Sequence, residues 1–156
     1  MRKGAKTQRR VLWRALRGGL LLLMASATSA QRMRSGDFWR TFIKGPLSKP
    51  NADEYFVRTL KDAELTGGLA PYLEGTVLSV TNSKAPIRLL LSMEGTDTPD
   101  VMLVIEESAE IKAEPKVGIV VRFNGVVASK FTKEPFMLTF EMFDPRSSYL
   151  DIVNPR

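Results

Sequence analysis

Residues 117–142 limit the folds open to this chain more than any other stretch. A β-branched and aromatic run at 119–127 is followed by a polar break at 130–135 and a second apolar run at 136–142. Two such runs about a turn predict an antiparallel pair of strands, because branched and aromatic side chains suit a pleated, half-buried surface. Gly125 interrupts the first run, and a missing side chain inside a strand marks a bulge or a sharp bend. Small closed β-barrels need such a kink to turn a corner.

The N-terminus reads as an address. Arg2, Lys3, Lys6, Arg9, Arg10, Arg14 and Arg17 form a basic lead with no acid, followed by a short apolar core at 18–24 and small residues at 25–30. That layout predicts a secretory signal peptide over 1–30, with cleavage between Ala30 and Gln31 or, alternatively, after Ala27. The apolar core falls short of the roughly 20 residues that a membrane-spanning helix needs. Arg9 and Arg10 with Val11, Leu12 and Arg14 resemble a twin-arginine export signal, although Gln8 stands where that pattern prefers Ser or Thr. The general secretory route is the other reading. Either route puts the mature chain in the periplasm or outside the cell.

Removing the signal changes the electrostatics. The whole chain has 23 bases and 17 acids, net +6; without the seven bases of 1–30 the remainder carries 16 bases and 17 acids. The basic character belongs to the signal and does not argue for a nucleic-acid or acidic-membrane partner.

Residues 31–156 are one domain's worth of chain, long enough for an apolar core without disulfides, since there is no Cys. In 37–44, Phe38, Trp39, Phe42 and Ile43 share one side of a predicted helix that Ser35 or Asp37 caps and Gly45-Pro46 ends. A second predicted helix runs from 50 towards Gly67-Gly68, with Phe56, Leu60 and Ala63 on one face. From Tyr72 the hydrophobic period shortens towards two. Strands are expected at 74–80, 87–93 and 101–105, and an acidic segment at 106–115 suits a short helix across the end of the sheet. Pro145 and Pro155 argue against a long strand in the tail.

The expectation is therefore a mainly β fold, a five-stranded Greek-key barrel of the oligonucleotide/oligosaccharide-binding (OB) type with two short N-terminal helices packed outside. Its divisions are a signal at 1–30, a helical segment at 31–71, the barrel at 72–142 and a tail at 143–156. Gly75 and Val77, the strand Leu89-Leu90-Leu91-Ser92, and the phrase Pro115, Lys116, Val117, Gly118, Val121, Arg122, Phe123, Gly125, Val126 and Val127 carry a resemblance. They resemble exported bacterial OB domains related to the tRNA-anticodon-binding-like family. In that family such a glycine-bearing phrase introduces the fourth strand and a short apolar fifth strand closes the sheet. The resemblance spans about 72–142.

Composition excludes much chemistry. With no His, the commonest general base is missing, and with no Cys there is no thiol catalysis; together their absence removes ordinary zinc, haem and copper sites. Phosphate-cradling glycine loops and nucleophile elbows are absent too. The expectation is no enzyme, no cofactor and no metal. Glu94, Asp97 and Asp100, with Glu106, Glu107, Glu110 and Glu114 beyond them, offer oxygen ligands for calcium but lack EF-hand spacing. The strands that would read nucleic acid, 87–93 and 101–105, contain no aromatic residue and only one base, Arg88. That favours a non-catalytic binding or scaffolding module of the envelope, its partner a protein or small ligand, over single-stranded nucleic-acid or oligosaccharide binding. Lys130, Phe131, Lys133 and Phe136, in and beside the last predicted turn, form the candidate binding rim; the other reading is an ordinary turn with Phe131 and Phe136 tucked inward.

Overall fold

The computed structural model describes residues 33–66, 70–143 and 148–153. The expected signal with its cleavage point at Ala30 and Gln31, the Gly67-Gly68 helix stop, and Pro145 and Pro155 lie outside them.

The aromatic stripe forms a helix, but one that runs through its expected stop. Ser35–Phe38 is α-helical, Trp39–Lys44 widens to π-helical, and Gly45–Leu47 returns to α. The widening lets the chain carry Pro46. In a regular helix Pro46 would leave the Phe42 carbonyl without its i+4 donor. Here that carbonyl accepts a hydrogen bond from the Tyr55 hydroxyl at 2.7 Å, and the Gly45 N–H donates to the Arg40 carbonyl instead. A Cβ on Gly45 would lie 2.6 Å from the Arg40 oxygen, so only glycine fits this approach. Ser35 does not cap the helix. Its hydroxyl accepts the Glu74 N–H at 2.8 Å and pins the helix start to the first strand. Phe38, Trp39, Ile43 and Leu47 are buried.

The second helix, Ala52–Tyr55 and then π-helical Phe56–Leu60, stops before the expected Gly67-Gly68. Beyond it the chain extends along a strand edge. The Asp62 and Leu65 N–H groups donate to the Ala128 and Val126 carbonyls at 2.8 and 3.2 Å.

Among the described residues, eight strands form one sheet: β1 Leu73–Thr81, β2 Ile87–Ser92, β3 Val101–Ile105, β4 Glu110–Ile111, β5 Val120–Asn124, β6 Val127–Thr132, β7 Met137–Met142 and β8 Tyr149–Ile152. Their order is β4-β8-β5-β1-β2-β3-β7-β6. β1, β2 and β3 form an antiparallel meander, β7 lies parallel to β3, β6 returns antiparallel on β7, and β5 pairs antiparallel with the start of β1.

The expectation of five strands is corrected in three places. The run 119–127 is not continuous: Gly125 and Val126 separate β5 from β6, and the strand then carries on to Thr132, so the turn is shorter than the polar break suggested. The acidic 106–115 segment is not a helix. It contributes β4, which lies parallel to β8. The tail contributes β8, which covers the edge of β5 away from β1.

Alternate residues of the strands point inward. One cross-strand row reads Leu89, Leu103, Phe140 and Ala128, all fully buried. The sheet is curled. Phe123 of β5 and Phe140 of β7 have ring centroids 6.3 Å apart although their strands stand four places apart in the ladder. In a flat sheet four places would be roughly 19 Å. Gly125 makes the bend, with φ 65. Its N–H donates to Thr66 Oγ1 and its carbonyl accepts from Ser148 Oγ, both at 2.7 Å.

Candidate functional site

The strands β2, β3, β7 and β6 present an outer face that no other described element covers with a strand or helix. A groove of about 490 Å³ runs over it, lined by Arg88, Met102, Val104, Ser129, Lys130, Thr132, Met137, Thr139 and Glu141. Register builds it in rows. Arg88 lies beside Val104, Val104 beside Glu141, and in the next row Leu90, Met102, Thr139 and Lys130 follow one another across the four strands. A one-residue shift between Ala128 and Lys130 places Ser129 at an irregularity and keeps Lys130 on this face.

The chemistry of the face is mixed. Met102, Val104 and Met137 supply half-buried apolar surface, while Arg88 and Lys130 are exposed cations. Neither cation has an ion-pair partner among the described residues, and Glu141 is likewise unpaired there. No aromatic ring lines the groove.

The rim residues expected from the sequence are split between two surroundings. Lys130 reaches the groove and Lys133 is exposed at the β6–β7 turn. Phe131 and Phe136 turn towards the N-terminal helices and are half-buried. Phe56 and Phe131 are 5.8 Å apart, Phe131 and Phe136 5.5 Å, and Trp39 meets Phe136 edge-on at 6.4 Å. The aromatic pair thus mortars the helices to the sheet. The groove residues that sequence reasoning left aside are Met102, Val104, Met137, Thr139 and Glu141. Their signal was available in β3, where Val101, Met102, Leu103, Val104 and Ile105 are apolar on both faces. A strand with one solvated face alternates instead.

Two of the loop carboxylates considered for calcium, Glu94 and Asp100, face a lysine instead. The Lys44 ammonium lies between Glu94 Oε2 and Asp100 Oδ1, the latter at 2.9 Å. Asp100 is buried, and its other oxygen accepts the Met93 N–H at 3.1 Å. Burial works to lower the Lys44 pKa, but its hydrogen bonds to Glu94 and Asp100 outweigh burial and hold it above its ordinary value. No group of three or more His, Cys, Asp or Glu able to hold a metal occurs among the described residues.

A second hollow, about 370 Å³, lies beside the start of the first helix and includes Arg40, Asp37, Tyr72 and Glu74. Its Asp37, Arg40 and Glu74 are already paired. Arg40 bonds Asp37 at 2.9 Å, and Arg122 donates through Nε and Nη2 to Glu74 Oε1 at 3.0 and 2.8 Å while stacking 4.0 Å from the Tyr72 ring centre. The hydrogen bond to Glu74 is the main cause raising the Arg122 pKa. This is a cross-strand clasp between β1 and β5, since Glu74 and Arg122 are register partners. No helix among the described residues is long and apolar enough to cross a membrane.

No protein-family model matches the chain, and no curated protein sequence does. Among solved structures, the OB domain (residues 67–166) of a Methanosarcina mazei protein, determined by NMR, aligns over 54% of this chain and 72% of its own length. The identity is 16% and the TM-score 0.39.

Proposed function

We propose that the chain is an exported, non-catalytic binding or scaffolding module of the bacterial envelope, an OB-like barrel that docks a protein on the outer face of β2, β3, β7 and β6. Three observations support the barrel. The β1–β2–β3 meander, the parallel β3–β7 pair and the β7–β6 return follow the OB path. β5 and β6, two residues apart, act as halves of one kinked fourth strand, the first half on β1 and the second on β7. β4 and β8 are additions at its edge. The glycine-bearing phrase that resembles the tRNA-anticodon-binding-like OB domains runs into this kinked strand, with Val121 to Val127 across the bend. Export rests on the signal layout of 1–30, and the non-catalytic reading on the lack of His and Cys.

The observation that carries the docking reading is the two-faced apolarity of β3. Met102 and Val104 point away from the core, beside Leu90 and Met137, and burying such a strip against a partner is favourable at roughly 25 cal/mol per Å². Base stacking has no platform here, and Glu141 would repel a phosphate backbone. The test places a photo-crosslinking residue at Thr139 in the groove and, as control, at Val57, which is 51% exposed on the second helix. In cells exporting the full chain, Thr139 should give protein adducts and Val57 none. Alongside, a titration with single-stranded oligonucleotide should show no salt-sensitive binding. Steeply salt-dependent micromolar binding that Arg88→Ala and Lys130→Ala abolish would replace this reading with the nucleic-acid one.

A further inference from the structure

We infer that the protein docked on this face is a second copy of the chain, an inference that rests on the docking reading above and names its partner. Arg88, Val104 and Glu141 stand in one row on three adjacent strands, with Val104 in the middle. Arg88 and Glu141 therefore flank Val104 at one strand spacing each, about 4.8 Å to either side. Consider two such faces stacked about a two-fold axis that runs along β3, in the plane between them. The axis lays β3 on β3 and exchanges β2 with β7. Arg88 of each copy then lies over Glu141 of the other, so two ion pairs form at once. Between them Val104 meets Val104, and one step along the strand Met102 meets Met102.

The arrangement is isologous, the self-complementary geometry of two-fold dimers. Face-to-face sheets pack roughly 10 Å apart, a gap that an Arg and a Glu reaching from opposite sides close together. In a single copy Arg88 and Glu141 form no ion pair among the described residues, and Val104 stands between them in the row. The two-fold axis supplies each with the opposite charge it lacks. Other occupants fit the charges less well. The leader, with seven bases and no acid in 1–30, would be repelled by Arg88 and Lys130. A polyanion would meet Glu141. The face is small, four strands wide, which places the dimer at the weak, reversible end of protein interfaces.

The test is sedimentation velocity on the full chain, expressed for export and purified, over roughly 1–500 μM to bracket a micromolar dimer. The wild type should shift from monomer to dimer across that range. Arg88→Glu alone and Glu141→Arg alone should each weaken association at least about tenfold, since like charges then face each other. The two reversals combined should recover it, because the exchange restores both pairs. A second measurement uses the absence of native cysteine. Val104→Cys lies on the axis and should be joined to its mate by a short bis-maleimide, whereas Val57→Cys should not. A chain monomeric throughout, unchanged association in Arg88→Glu, or no recovery in the combined variant would overturn the inference. If the chain is monomeric while Thr139 still crosslinks to a different protein, the self-pairing falls and the docking reading stands. If Thr139 captures no protein of either kind, both fall.

Discussion

Replacing Gly125 should show what the bend between β5 and β6 requires. Gly125 has φ 65, is buried, and is held at both ends by hydrogen bonds to Thr66 and Ser148. A residue with a Cβ has two ways to respond. It can keep the left-handed conformation, at about 1–2 kcal/mol for Ala and more for a β-branched side chain. It can instead rotate to negative φ, which pulls the N–H from Thr66 Oγ1 or the carbonyl from Ser148 Oγ. An unmet buried polar group costs about 1–3 kcal/mol, so neither route is cheap. Gly125→Ala should therefore lose about 1–2 kcal/mol and Gly125→Val about 2–4 kcal/mol. Gly125→Asn should lose less than Val, because Asn visits the left-handed region more readily. Urea denaturation reads these as midpoint shifts at constant slope. A neutral Gly125→Val would refute the conformational argument. An Asn variant as damaged as the Val variant would show that crowding, not backbone conformation, sets the cost.

Further outcomes are expected elsewhere. Lys44→Met should lose about 1–3 kcal/mol, because it strips the buried Asp100 carboxylate of its charged partner. Lys44 titrates above its ordinary 10.5, so its stabilisation is complete below that pH and is lost as pH rises through the higher folded value. Denaturation midpoints should accordingly converge between wild type and Lys44→Met as the pH climbs past 10.5; a constant gap would contradict the ion-pair account. Tyr55, whose pKa burial raises, adds the same alkaline loss to both proteins and cancels in the comparison. Trp39→Ala should cost about 3–5 kcal/mol and Phe136→Ala about 2–3 kcal/mol, measured by thermal unfolding, because each empties one side of the helix–sheet contact. N-terminal sequencing of the exported protein should begin at Gln31; a native product retaining Met1 would remove the export reading.

The meander was legible in the sequence because its information is local. Strands β1, β2 and β3 each show period-two alternation or a short apolar run between turn residues, and they appear within a residue or two of their expected limits. Gly125 was also readable as a bend. What could not be read depends on partners distant in the chain. β8 holds only four residues near two prolines, and it exists because β5 offers an unpaired edge. The extended segment after Leu60 binds β6 through backbone groups, which leave no mark on side-chain periodicity. Phe131 and Phe136 could be read as rim or as tucked inward, because a sequence shows that a residue is apolar, not which neighbour covers it. Pro46 looked like a helix stop because the hydroxyl that takes over the Phe42 carbonyl comes from another helix.

The two hydrogen bonds of Gly125 have a consequence for the order in which the molecule can be completed. Thr66 lies 59 residues before the glycine and Ser148 lies 23 after it. A chain emerging from a ribosome or a translocon would have its first anchor in hand long before its second. Until Ser148 and β8 arrive, the outer edge of β5 has its N–H and C=O groups bare, a template for any passing strand. Ser148 and β8 thus act as a latch that closes the vulnerable edge only after β5 is in place. A chain cut short before Ser148 would accumulate with that edge open and associate through it.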